Sequence, residues 1–173
     1  IWFPTGGGKT EAYLGLTAFT IFYRKLAHPK QSSGTAVIMR YTLRLLAAQQ
    51  FTRAATLICA CEYIRQDCAQ RRHKYPAYPL GKDPITIGLW IGGTHIPNKN
   101  EDADFHLDKL RKVSNYYYVR NEKERHNKFQ VLKCPWCGTK MVKDDKDKKL
   151  VGEWGYSMSG KHFYMFCPHE DCD

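Results

Sequence analysis

The sequence predicts an α/β protein in two parts: a parallel sheet with flanking helices, then a small β subdomain organised by cysteines. Three observations carry that prediction. Short apolar runs at Ile1-Trp2-Phe3, Ala36-Val37-Ile38-Met39 and residues 85–91 alternate with helical patterns; continuous rather than alternating apolar runs mark strands buried on both faces. A glycine-rich turn, Gly6-Gly7-Gly8-Lys9-Thr10, joins the first run to the first helix. Two close cysteine pairs, Cys134 with Cys137 and Cys167 with Cys172, fall near the end.

The elements follow in order. A helix is expected from the glycine turn to about Leu26, with Ala12, Leu16, Phe19, Tyr23 and Leu26 recurring at steps of four and three as its buried face. Pro29 and Gln31-Ser32-Ser33-Gly34 end it. A second, longer helix is expected from Thr42 to about Arg71. Its buried side carries Leu45, Leu46, Phe51, Ala54, Leu57, Ile58, Cys61, Ile64 and Cys68. Three prolines and a glycine make 75–84 a loop before the third strand, which closes on Gly92-Gly93. Glu101 to Val113 reads as a charged helix whose first-turn acids favour the helix dipole. Strands at Phe129–Leu132 and His162–Phe166 flank the cysteine pairs, and the mixed-charge run 143–149 is a solvated loop. The expected organisation is 1–95 as the α/β part, 96–128 as a connecting segment and 129–173 as the cysteine module.

The chain has 173 residues and a net charge of +10, with 43% hydrophobic and 25% charged side chains. Those values suit a chain that buries a core and exclude a disordered or collagen-like one. The charge is uneven: residues 1–100 carry 13 basic and 4 acidic side chains. A basic surface of that kind fits a polyanion such as DNA, because Lys and Arg contacts to phosphates release condensed counterions; a merely solubilising surface is the alternative. No apolar stretch approaches the roughly 20 residues a membrane span needs. The chain opens without an initiator Met, a basic leader or a signal core, so a piece of a longer, cytoplasmic protein is expected. An odd count of seven cysteines disfavours a fully paired disulfide framework. Cys59, Cys61 and Cys68 lie inside the second helical pattern, where reduced thiols act as small hydrophobes.

The glycine turn has the chemistry of a phosphate cradle. Glycines let backbone N–H groups turn inward around phosphate oxygens, and the helix N-terminus adds partial positive charge. Thr5, Gly6, Gly7, Gly8, Lys9 and Thr10 are the expected ATP-binding residues. Lys9 reaches the β- and γ-phosphates and the Thr10 hydroxyl ligates Mg²⁺. Phe3 stands where the strict motif has its first Gly.

Pro4-Thr5-Gly6-Gly7-Gly8-Lys9-Thr10 resembles motif I of superfamily 2 helicases, which relax that first position, and Thr10-Glu11-Ala12 resembles its continuation in many DNA helicases of the group. Met39-Arg40-Tyr41-Thr42-Leu43-Arg44, after the second strand, lies where their motif Ia is expected, and Gly92-Gly93 resembles their glycine doublet. With the Cys-Pro-Trp-Cys-Gly that follows, the whole resembles the large helicase subunit of DISARM-type anti-phage systems. The resemblance implies a partial RecA-like lobe with a zinc-ribbon insert, DNA contacts at Arg40, Tyr41, Thr42, Arg44, Gly92 and Gly93, and assembly with other defence subunits. It also implies an ATP-dependent DNA helicase or translocase as the full-length parent. An acidic Asp-Glu motif and a second lobe would lie beyond residue 173, so the segment alone is expected to be inactive. Glu101-Asp102-Ala103-Asp104 is not that motif, because no buried strand precedes it.

Cys134-Pro135-Trp136-Cys137-Gly138 has the form of a zinc knuckle, with Cys167-Pro168-His169-Glu170-Asp171-Cys172 as its partner. Two short-spaced pairs give four thiolates in a tetrahedron, a closed structural Zn²⁺ site, although His162 or His169 is an alternative ligand for one position. A rival reading keeps the ribbon as a non-catalytic nucleic-acid-binding or assembly module beside a vestigial phosphate loop.

Overall fold

The computed structural model describes residues 8–41, 44–70, 80–92, 96–114, 128–142 and 155–172, with backbone alone at 44–48 and 110–114. Helices α1 (Lys9–Ala27), α2 (Arg44–Gln70) and α3 (Asn100–Ser114) precede strands β1 (Tyr156–Ser159) and β2 (His162–Met165). A short 3₁₀ turn, Pro29–Gln31, follows α1. The chain divides into two compact units, 1–89 and 90–173.

In the first unit α1 packs on α2. Ile21, Ile58, Cys61 and Ile85 form the buried cluster, with Ala18, Phe22, Ala36 and Leu57 against it. Ala36 and Ile85 are the beginnings of the second and third expected strands, so both runs lie on the two helices. Polar groups complete the seam. The Glu62 carboxylate accepts from the Arg65 guanidinium at 2.5 and 2.8 Å and from the Ile85 amide at 2.8 Å. Arg65 also donates to the Gly81 carbonyl at 3.0 Å, and Lys25 donates to the Asp83 carbonyl at 2.8 Å. These bonds tie 81–85 to both helices.

Two expectations are corrected here. The stripe Leu16, Phe19, Tyr23 and Leu26, expected inside, is exposed, with Phe19 at 64%. The buried residues of α1 are Thr17, Ile21 and Lys25 on the opposite side. Polarity does not prevent that arrangement, because each buried polar group is satisfied: the Thr17 hydroxyl donates to the Tyr13 carbonyl at 2.8 Å and the Lys25 ammonium reaches Asp83. On α2, Ile58 and Cys61 are buried as expected, but Ile64 is exposed and Arg65 takes the inner position beside Glu62.

The chain is mixed α/β, but a parallel sheet is not seen among the described residues. Residues 36–39 and 85–91 are extended without a strand partner there. Their neighbour in the expected sheet, 1–3, lies outside the described residues. Ile38 and Trp90 are 85% and 99% exposed.

The second unit is built on an antiparallel hairpin in which Tyr156 faces Met165, Ser157 faces Tyr164, Met158 faces Phe163 and Ser159 faces His162. Helix α3 packs on both strands. Its Ala103 and Leu107, one turn apart on one face, join Phe129, Cys134, Met141 and Tyr156 in a single core. Glu101 and Asp102 occupy its first turn. Phe129–Leu132 forms no strand; pairing is confined to a bridge between Lys133 and Lys140, because the chain reverses at once into the first cysteine turn.

Two predictions arise from these cores. Ile21→Ala should cost about 2–4 kcal/mol, whereas Phe19→Ser on the exposed stripe should stay within about 0.5 kcal/mol. Urea unfolding of both variants checks this, and equal losses would contradict the burial of α1. The second concerns acid. The Arg65 guanidinium, the Ile85 amide and Gln66 hold the Glu62 carboxyl down from 4.5 to about 2. A carboxyl depressed on folding contributes stability that is present above the unfolded value and lost as pH falls through the folded one. The first unit should therefore weaken between pH 4.5 and about 2, and Glu62→Gln should flatten that slope in thermal melts.

Candidate metal centre and phosphate turn

Each cysteine pair sits on a tight turn. In the first, the Gly138 amide donates to the Cys134 carbonyl at 3.0 Å, the Cys134 amide donates to Thr139 at 2.8 Å, and Gly138 has φ 78°. The Trp136 amide points at the Cys134 sulfur at 3.4 Å. In the second, the His169 amide plays the same part for Cys167, and the Cys172 amide donates to the His169 carbonyl at 3.1 Å. The two turns are thus equivalent: each aims a backbone N–H at the sulfur two residues before it.

The four sulfurs lie within 4.8 Å of one another, with Cys134–Cys172 at 3.8 Å and Cys137–Cys167 at 3.5 Å. Those separations are far too long for disulfides, whose sulfurs stand about 2.05 Å apart. They match the edge of a tetrahedron drawn around a zinc ion with bonds of about 2.3 Å, which is about 3.8 Å. The arrangement can hold one metal ion and leaves no ligand position open for chemistry. Neither histidine belongs to it: His169 contributes its backbone, and His162 lies in β2 opposite Ser159.

The thiols are not electrostatically alike. Hydrogen bonds from the Thr139 side chain and backbone bring the Cys137 thiol down to about 6. Burial raises Cys167, and burial with neighbouring thiols raises Cys172. One thiolate is stable without a cation, whereas four are not; a divalent ion supplies the missing charge. Thr139 is a supporting residue that the cysteine spacing alone did not single out. Its position two residues after Cys137 was the available signal.

The phosphate turn is described in part. Thr5, Gly6 and Gly7 lie outside the described residues. Gly8 has φ 77° and ψ 19° and caps α1; a left-handed residue here is one that L side chains adopt only with strain. Lys9 and Thr10 form the first turn of the helix, Lys9 exposed and Thr10 half-buried. The Glu11 carboxylate turns back to its own amide and pairs with Arg53 of α2, and both hold it below the usual carboxylate range. A carboxylate drawn to that amide displays the pull the helix start exerts on anions. Glu11 is a further missed residue, adjacent to the motif that was recognised.

Of the expected DNA contacts, Arg40 and Tyr41 line an open groove beside Tyr13, Leu16, Thr17 and Thr20 of α1, and Tyr41 donates to the Met39 sulfur at 3.8 Å. Gly92 is exposed. Thr42, the Arg44 side chain and Gly93 lie outside the described residues. No helix among the described residues is long and apolar enough to cross a membrane.

The molecule therefore combines a four-cysteine centre of metal-binding geometry with a Gly-Lys-Thr helix start. Among known proteins, the chain is 35% identical over 180 residues to the DISARM protein DrmA of Bacillus paralicheniformis, a match that takes in 99% of the chain but 14% of that relative. The chain thus spans about one seventh of the length of the curated relative it matches. No family model and no solved structure matches the chain.

Proposed function

We propose that the chain is part of the first RecA-like lobe, with an inserted zinc ribbon, of an ATP-dependent DNA helicase or translocase serving phage defence within a DISARM-type assembly. The observation that carries the reading is Gly8 in the left-handed conformation leading into α1 with Lys9 and Thr10 on its first turn. That geometry presents helix amides, an ammonium and a hydroxyl to one anion, as a nucleotide triphosphate with Mg²⁺ requires. The match along the whole chain to a DISARM protein supports the defence role. Lys9 holds the β- and γ-phosphates, Thr10 orients the metal, and Thr5, Gly6, Gly7 and Gly8 supply amides. Arg40, Tyr41, Thr42, Arg44, Gly92 and Gly93 face the DNA backbone. Cys134, Cys137, Cys167 and Cys172 hold a structural zinc that braces the second unit. The acidic motif that activates water belongs to the remainder of the longer protein.

The test is ATP hydrolysis by the full-length protein with and without DNA. Stimulation of about tenfold or more is expected; turnover indifferent to DNA would leave only the binding-module alternative.

A further inference from the structure

We propose that the outer face of the β1–β2 hairpin is a stacking platform for single-stranded DNA. Register and exposure define it. His162 and Tyr164 stand on one face of β2, both exposed, with Tyr164 at 50% and their rings 6.5 Å apart. Their partners across the hairpin are Ser159 and Ser157, side chains too short to cover a ring. Phe166, the next residue of the same parity, and Trp136 on the first cysteine turn are exposed as well. The opposite face is the inner one, where Tyr156, Met158 and Phe163 meet the core. The hairpin therefore keeps aromatic rings on both faces, although only one face has a core to fill.

Charge selects the occupant. The described parts of the ribbon, 128–142 and 155–166, contain Lys128, Lys133, Lys140 and Lys161 and no Asp or Glu. Lys161 sits in the turn beside His162, while Lys133 and Lys140 flank the first cysteine turn. An apolar protein partner would be answered by rings alone. Rings bordered by lysines without a carboxylate instead fit a chain that alternates flat bases with phosphates. Each base has a face to stack, and the lysines track the backbone. Duplex DNA hides its base faces, so the platform distinguishes one strand from two.

The choice of DNA over RNA rests on the helicase reading above, and the experiment separates the two. Fluorescence anisotropy is measured on the full chain with labelled oligo-dT, oligo-U and a duplex, without ATP. His162→Ala and Tyr164→Ala should each weaken oligo-dT binding about tenfold and leave duplex affinity within about twofold. Lys161→Ala should lower the salt slope by about one. Ser157→Glu, which leaves every ring in place and adds a charge to the face, should weaken oligo-dT likewise. Zinc content and melting temperature confirm that the variants are folded. Unchanged oligo-dT affinity in Tyr164→Ala and Ser157→Glu would overturn the platform even if DNA-stimulated ATP hydrolysis persists. Tighter binding of oligo-U by tenfold would overturn the assignment to DNA. Ring-dependent binding by a protein that hydrolyses no ATP would sustain the platform and end the motor reading instead.

Discussion

Replacing Cys134 by Ser should strip the zinc from the chain and unfold the second unit while leaving the first intact. The reasoning starts from core size. The buried residues of that unit are Ala103, Leu107, Phe129, Cys134, Met141 and Tyr156, a cluster held by a four-residue hairpin, one helix and two turns. Small units of this kind seldom gather enough apolar burial to fold unaided, and structural zinc supplies apparent binding energies of about 10–16 kcal/mol in finger peptides. Cys134 is itself inside the core and receives the Trp136 amide. Serine there would lose a ligand and leave that amide facing a poor acceptor. Calorimetry of the wild type should show two transitions, with the ribbon's abolished in Cys134→Ser and by chelator alone. Metal analysis should fall from about one zinc per chain to a small fraction. Cys61→Ser is the control, a buried thiol in the other unit, raised by burial, whose loss should cost about 1–3 kcal/mol without touching metal content. Full zinc occupancy in Cys134→Ser would refute the assignment.

What could be read from the sequence was mostly what is local. The cysteine pairs announced themselves because each knuckle is a contiguous turn, and only the meeting of the two turns is long-range. Helix limits were legible for the same reason: the glycine turn, Pro29 and the acids at Glu101 and Asp102 act within a few residues of the ends they set. The buried face of α1 was not legible. Periodicity selected Leu16, Phe19, Tyr23 and Leu26, while the structure buries Thr17, Ile21 and Lys25. That choice depends on a carbonyl at Asp83, 58 residues away, which turns a lysine into an acceptable interior residue. Glu62 and Arg65 tell the same story, since their value lies in receiving Gly81 and Ile85. Tyr156, wholly buried with its hydroxyl donating to the Val131 carbonyl, gave no warning either, standing in a stretch of serines and glycines.

Removing the Lys9 ammonium should abolish ATP-driven activity without disturbing the fold, and the contrast between those two outcomes is what makes the test sharp. Lys9 is exposed at the first position of α1. Alanine is the best helix former, so Lys9→Ala should change stability by less than about 0.5 kcal/mol. In the proposed site the same ammonium faces the phosphates as negative charge shifts during transfer. Taking away one charged donor of that kind costs about a hundredfold to a thousandfold in turnover. Thr10→Val should act differently: it keeps the size of the side chain and loses the hydroxyl, so the Mg²⁺ requirement should rise before maximal turnover falls. Neither change should alter zinc content, because the cysteine centre belongs to the other unit. In cells, Lys9→Ala in the full-length protein should reduce phage protection to the level of a strain lacking it. Wild-type turnover in Lys9→Ala would mean that the glycine turn is a helix start and nothing more.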